Sequence, residues 1–199
     1  MPSDLILASG SSIRAELLRN AGVPFEVSVP RVDEQMIKAA MQAEGFASRD
    51  IADALADAKA QKISAKNPEA FVLGCDQVLE FDGRLIDKSS SPEEAAALLA
   101  QMSGKPHRLF SAAVIYKDLE PQWRHIARVD LTMRVLSEAF QHSYIDDNWE
   151  EIRHCVGGYM LEGAGVRLFS QVRGDYFAVL GLPLLEVLSY LGQRGVITT

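Results

Sequence analysis

Two runs that are apolar from end to end, Leu5-Ile6-Leu7-Ala8 and Phe71-Val72-Leu73-Gly74-Cys75, constrain this chain more than any other feature. A strand with one face in water alternates apolar and polar side chains. A run without polar members has no face to give to water and belongs in a sheet covered on both sides. The expected fold is therefore α/β: a mixed, twisted β-sheet flanked by helices, with a groove between two lobes.

The residues after each run add the chemistry. Leu5–Ala8 leads into the small-residue loop Ser9-Gly10-Ser11-Ser12 and then a helix over Ile13–Ala21, stopped by Gly22-Val23-Pro24. A loop of this kind entering a helix N-terminus presents free N–H groups and a positive dipole end. Taken alone it is either an anion cradle or an ordinary serine-capped turn, and it lacks the lysine and glycine spacing of a P-loop. The second run delivers Asp76 to its C-terminal end, beside the apolar Cys75 and Val78.

Further elements read in order: a strand over Phe25–Val29, a helix capped by Ser48 and running to about Asn67, and a hairpin of Gln77–Phe81 and Arg84–Ile86 turning at Asp82-Gly83. Ser91-Pro92-Glu93-Glu94 starts a helix that ends near Gly104. Arg108–Tyr116 and Arg124–Arg134 form an antiparallel pair; Ser137 caps a helix over Glu138–Ile145, and a second covers Trp149–His154. Short strands are expected at Val166–Phe169 and Val172, with a last helix over Pro183–Leu191. No repeat or linker divides the chain, so residues 1–199 are expected to form one domain.

Charge limits the partners. A net charge of −7 opposes broad binding to nucleic acid, which needs a basic surface, but leaves room for a small anion held by a few placed cations. No stretch reaches the roughly 18 apolar residues of a membrane span. Met1-Pro2-Ser3-Asp4 lacks the basic region of an export signal, and the expectation is a soluble, cytoplasmic protein with no membrane partner. Cys75 and Cys155 fit neither a disulfide framework nor a zinc site. The four histidines have no H-E-x-x-H pairing, and no serine sits in a G-x-S-x-G setting.

The carboxylates Asp33, Glu34 and Asp76 are of the type that binds Mg²⁺ or Mn²⁺, hard cations preferring oxygen ligands. Lys59 and Lys88 are cations suited to a polyphosphate. Each residue alone also reads as solvated surface, and sequence spacing does not show whether they converge.

Five blocks in this order resemble the Maf family over almost the whole chain. They are Leu5–Arg14 with Glu16-Leu17-Leu18, similar to an S-x-S-P-R-R signature; Val32-Asp33-Glu34; Leu55-Ala56 with Lys59-Ala60; Gly74-Cys75-Asp76-Gln77-Val78; and Gly174-Asp175-Tyr176 with Val179-Leu180-Gly181-Leu182-Pro183-Leu184. The resemblance implies a Maf and inosine triphosphatase-like α/β fold with a nucleotide cleft between lobes. It implies a nucleoside triphosphate pyrophosphatase that uses a divalent cation, Mg²⁺ or Mn²⁺, to cleave between the α- and β-phosphates. By position, Asp76 would accept the proton of the attacking water, Glu34 and Asp76 would hold the metal, and Ser9, Ser11, Arg14, Lys59 and Lys88 would hold phosphate oxygens. A homodimer is left open.

Three places depart from the family pattern. Ser12-Ile13 stands where proline and a basic or aromatic residue are usual, Asp87-Lys88-Ser89 replaces G-K-P, and His107–Ser111 lacks the usual threonine. Substrate specificity would fall to Ile13, Gln77 and Glu162. Gln77 after the aspartate and Glu162 before a glycine look like the branch acting on 7-methyl-GTP, since a carboxylate accepts from both N1–H and the exocyclic amine of guanine. That branch usually carries tryptophan at the position of Ile13, where it stacks on the methylated base. The alternatives are a dTTP or UTP pyrophosphatase and a nucleotide-binding regulator of cell division without turnover.

Overall fold

The structure, a computed structural model, describes residues 4–198; the Met1-Pro2-Ser3 opening lies outside them. The elements run β1 (Leu5–Ala8), α1 (Ser12–Asn20), β2 (Glu26–Val27), α2 (Glu34–Ala43), α3 (Ser48–Ser64), β3 (Phe71–Phe81), β4 (Arg84–Ile86), α4 (Pro92–Met102), β5 (Pro106–Lys117), β6 (Glu120–Met133), α5 (Glu138–Ile152), a 3₁₀ turn (Ala164–Leu168), β7 (Phe169–Arg173), α6 (Tyr176–Val179) and α7 (Leu184–Gln193). Among the described residues no helix is long and apolar enough to cross a membrane.

One sheet carries all the strands, in the order β2-β1-β3-β5-β6-β7, with β4 paired to β3. β1 is parallel to both its neighbours, and the remaining pairs are antiparallel. As the apolar runs require, both faces are covered. Ile6, Ala8, Val72, Val78, Ala112 and Val114 pack under Ile51, Leu55 and Ala56 of α3. On the opposite face Leu5, Leu7, Leu73, Cys75 and Leu79 meet α1, α4, α5 and α7 through Leu18, Leu99, Ile145 and Val187.

Several elements differ from the sequence reading. Phe71–Phe81 is a single strand, so Asp76 lies at its middle and not at its end; β5 pairs with it from Val72↔Tyr116 to Glu80↔Arg108 without a shift. A carboxylate inside an apolar run looks like a terminus in sequence, but here Lys59 neutralises it in place. Asp33-Glu34 opens a helix that the sequence reading does not assign: Asp33 caps α2, its Oδ1 accepting from Met36 N–H at 3.0 Å, and Glu34 is the first helical residue. Ser48 lies inside α3 rather than capping it, and its hydroxyl donates to Glu80 at 2.7 Å. The helix over Glu138–Ile145 continues unbroken to Ile152, with Asn148 Nδ2 donating to Tyr144 O at 2.6 Å. Ala164–Leu168 is a 3₁₀ turn, and the strand expected at Val166 begins only at Phe169.

Candidate active site

One edge of β3 is interrupted. β1 pairs with Phe71–Gly74 and β4 with Leu79–Phe81, so residues 75–78 face no strand on that edge, while β5 holds the other edge throughout. The centre of the strand thus lacks a neighbouring strand on that edge while both its ends are paired. β1 ends on one bank of this opening, leading into Ser9–Arg14, and β4 ends on the other, leading into Lys88.

Asp76 points from this opening toward α3. It is 5% exposed, and its Oδ1 lies 2.5 Å from Nζ of Lys59, itself 8% exposed. The same ammonium is 2.8 Å from Oε1 of Glu34 at the start of α2. Burial pushes Glu34 upward, but its hydrogen bond and charge attraction to Lys59, with Lys38 and Lys88 behind, outweigh that and hold its carboxyl below the ordinary range. The approach of α3 depends on Gly74: a Cβ there would lie 2.2 Å from Ala56 O and 2.6 Å from Ala60 N. The neighbouring thiol of Cys75 faces the other core, where burial pushes it up to about 11, leaving it inert as a nucleophile.

On the first bank, Ser11 caps α1 and Ser9 Oγ accepts from Ser11 N–H at 3.2 Å. Ser12 and Ile13 N–H have no acceptor among the described residues and stand at the positive end of α1. Arg14 is buried and ties the opening together: Nε donates to Gly181 O at 2.7 Å, and NH1 donates to Ser9 Oγ at 3.2 Å and to Cys75 O at 3.0 Å. Cys75 O is a carbonyl of the strand's interrupted edge, so Arg14 supplies the donor that a strand would have given. Among the described residues only its NH2 is left without a protein partner. Arg14 is thus a brace of this edge.

On the second bank, Lys88 is exposed and near enough to act electrostatically on both Glu34 and the Cys155 thiol. Burial raises that thiol; the charge of Glu162 raises it further and that of Lys88 opposes. Glu162 is exposed on its glycine-rich loop. The loop is anchored by Tyr159, whose hydroxyl is 2.9 Å from Nε2 of the buried His107. Asp87, at a position that departs from the family pattern, pairs with Lys38 of α2 at 2.9 Å.

The remaining specificity candidates separate. Ile13 is partly buried against the larger core beside the loop. Gln77 points away from Asp76, to the opposite face, where its Nε2 lies 2.9 Å from each of Ser111 Oγ, Ala178 O and Val179 O. Its amide therefore holds α6 in place. Three residues important to the site had no assigned role in the sequence: Ser111, whose hydroxyl donates to Ala178 O at 2.6 Å; Asp175, which caps α6 by accepting from Ala178 N–H at 2.8 Å; and Gly181, at φ +94 and so close to Arg14 that a Cβ would lie 3.1 Å from Nε. Asp175 and Gly181 sit in the closing block Gly174–Leu184, which signalled importance without signalling purpose.

Among the described residues no group of three or more His, Cys, Asp and Glu is placed to hold a metal by itself. Two carboxylates joined through one ammonium suit instead a cation of the Mg²⁺ type, which keeps most of its water and takes one or two carboxylates together with substrate phosphates. The donor set fits such an ion.

The chain is similar to known proteins along almost its whole length. The chain is 61% identical to the nucleoside triphosphate pyrophosphatase of Ruegeria pomeroyi over 199 residues, covering 100% of both. It is 47% identical over 192 residues to the protein of the same name from Caulobacter vibrioides, covering 96% of each. A solved structure titled nucleoside-triphosphatase / dITP/XTP pyrophosphatase, from Mycobacterium abscessus, aligns with 98% of this chain and 97% of its own at 16% identity and a TM-score of 0.41, too distant to bear on the assignment. The profile described as "Maf-like protein" matches residues 4–194, including the strand opening, both banks and the closing block, and the chain belongs to that family.

Proposed function

We propose that the protein is a nucleoside triphosphate pyrophosphatase that hydrolyses the bond between the α- and β-phosphates, releasing nucleoside monophosphate and diphosphate. The observation that carries this reading is the buried pair of Asp76 and Lys59 at the interrupted edge of β3, with the same Lys59 ammonium also reaching the half-exposed Glu34. The names of the relatives support it.

In this reading the triphosphate spans the opening. Ser12 and Ile13 N–H, Ser9, Ser11 and Arg14 receive phosphate oxygens from one bank and Lys88 from the other, while Lys59 lies between. Asp76 takes the proton of a water that attacks the α-phosphorus as the bond to the β-phosphate oxygen breaks. The departing diphosphate leaves with its charge met by the lysines and the helix terminus. A divalent cation, Mg²⁺ or Mn²⁺, held by Glu34 and Asp76, supplies charge neutralisation on the phosphates when bound.

The finer assignment is a guanine-type base, 7-methyl-GTP foremost. It rests on Glu162, an exposed carboxylate on the glycine-rich loop that is suited to two donors on one base edge. A panel of GTP, 7-methyl-GTP, UTP, dTTP and dITP with Mg²⁺ or Mn²⁺, analysed for products, tests both levels. Monophosphate and diphosphate are expected, with 7-methyl-GTP turned over fastest. Orthophosphate as the sole inorganic product refutes α–β cleavage, and faster turnover of UTP or dTTP refutes the base assignment alone.

A further inference from the structure

The Lys59 ammonium contacts both carboxylates that would hold the metal, at 2.5 Å from Asp76 Oδ1 and 2.8 Å from Glu34 Oε1. Each carboxylate has a second oxygen that a metal could take, but a divalent cation held by the same two carboxylates would lie close to the ammonium, and two such cations repel each other. That repulsion favours departure of the ammonium. The helix that carries Lys59 is packed into the smaller core, seated on Gly74 of β3 with Ala56 and Ala60 against the strand backbone. The movable part is the lysine's own four-carbon stem.

The direction open to it is set by its surroundings. Its neighbours on the helix Ala56, Ala60 and Ile63 are buried against the sheet, while residues 75–78 of β3 have no neighbouring strand on one edge. A displaced ammonium thus swings into the opening where phosphates would lie. The shortage of ligands points the same way, since no third acidic residue, His or Cys among the described residues completes a metal site. A metal that has to evict a buried ammonium for two carboxylates gains little alone; it gains more when a polyphosphate receives both the metal and the ammonium.

We propose that Lys59 is a placeholder for the metal, and that metal and triphosphate bind as a coupled pair in which the metal displaces the ammonium from Asp76 and Glu34 and the ammonium transfers to the phosphates. The idea rests on the pyrophosphatase reading and adds an order to it. Without metal, Lys59 is held by the carboxylates and contributes little to nucleotide affinity. With metal, it becomes a phosphate ligand. Metal-free nucleotide and nucleotide-free metal each meet a site closed on itself.

The test measures binding and not turnover. Mn²⁺ alone is titrated into wild type, Lys59→Met, Lys59→Gln and Lys38→Met, with the free ion followed by electron paramagnetic resonance. Calorimetry then follows the α,β-methylene analogue of GTP with and without saturating Mn²⁺. Lys59→Met is expected to bind Mn²⁺ alone about tenfold tighter than wild type, a coupling ordinary for linked sites. It is expected to lose about tenfold in analogue affinity when Mn²⁺ is present but less than about twofold when it is absent. Lys59→Gln keeps the shape polar and serves if the methionine variant does not fold. Lys38→Met removes the same charge from near Glu34 without touching either carboxylate.

If the Lys59 variants bind Mn²⁺ no tighter than wild type, if Lys38→Met tightens it equally, or if analogue affinity falls alike with and without metal, the placeholder is overturned while the pyrophosphatase reading stands. Failure of wild type to bind Mn²⁺ either alone or with the analogue overturns both.

Discussion

Replacing Gly74 by alanine adds one methyl group where α3 rests on β3, and distances set the consequence. The new Cβ would lie 2.2 Å from Ala56 O, 2.6 Å from Ala60 N and 2.8 Å from Ala60 Cβ. Unstrained contacts of this kind need roughly 3.5 Å, so the helix must retreat by about 1 Å. The neighbours are mostly backbone, and no side-chain rotation relieves them. Overpacking of a core costs about 1–3 kcal/mol. Restricting the unfolded chain returns about 0.4–1 kcal/mol, because the backbone at Gly74 is one that alanine also adopts. A net loss of about 1–2 kcal/mol is expected from a urea midpoint. Lys59 precedes Ala60 and Asp76 is two residues beyond Gly74, so the same retreat stretches the 2.5 Å contact between them. Displacement of a catalytic group by about 1 Å costs on the order of a hundredfold in rate. Diphosphate release at saturating nucleotide and metal reads that second effect. A variant within about 0.5 kcal/mol of wild type and of undiminished rate would refute the claim that this glycine sets the distance between lysine and carboxylate.

Asp76→Asn keeps the shape but removes the proton acceptor, and is expected to lower turnover by about 10²–10⁴-fold with unchanged far-ultraviolet circular dichroism; retention of more than about a tenth of the rate would place the base elsewhere. His107 is lowered by burial from 6.5 to about 4, so the folded state holds it neutral while the unfolded chain takes up a proton between those values. Its contribution is whole above pH 6.5 and is lost as pH falls toward 4, on the order of 3 kcal/mol in all. His107→Gln should therefore flatten the fall in urea midpoint between neutrality and about pH 5, and an unchanged slope would show that other groups carry it. Glu162→Gln turns one acceptor into a donor facing a donor and should cost 7-methyl-GTP and GTP roughly tenfold to a hundredfold in kcat/KM while sparing UTP and dTTP. A purine to pyrimidine ratio that does not move would remove Glu162 from base reading.

The parts of this fold that are legible in sequence are those whose causes are local. Leu5–Ala8 declares its burial by having no polar member, and Ser91-Pro92-Glu93-Glu94 carries its own start signal, with Ser91 Oγ accepting from Glu94 N–H at 3.3 Å. None of the residues of α2 is fully buried, and its short apolar stripe, with Ile37 and Met41 only partly buried against the smaller core, does not reveal the helix or the place of Glu34 at its start. The continuity of β3 is hidden by Asp76, whose tolerance at a strand centre comes from a lysine on another element. Arg14 is legible as a cation near an anion loop. Its larger task is not, because its partners Cys75 and Gly181 lie 61 and 167 residues away in the chain. Gln77 reads as facing substrate since it follows Asp76, whereas strand alternation sends neighbours to opposite faces.

The separations that obscure Arg14 also set the sequence in which the cleft is assembled. Lys59 and Asp76 are 17 residues apart and belong to one helix–strand unit, while the bond from Arg14 to Gly181 spans 167. Closing the longer loop costs about 2 kcal/mol more in chain entropy, and contacts so distant form late. A chain emerging from synthesis thus acquires its lysine and carboxylate together once β3 is made, but the brace of the interrupted edge waits for Gly181 to arrive. Until then Cys75 O lacks its guanidinium and the loop at Ser9 lacks its anchor. On the proposed function, the grip on the nucleotide is thereby tied to completion of the fold, and a partly made chain holds the pair assigned to activating water before it holds the loop assigned to the phosphates.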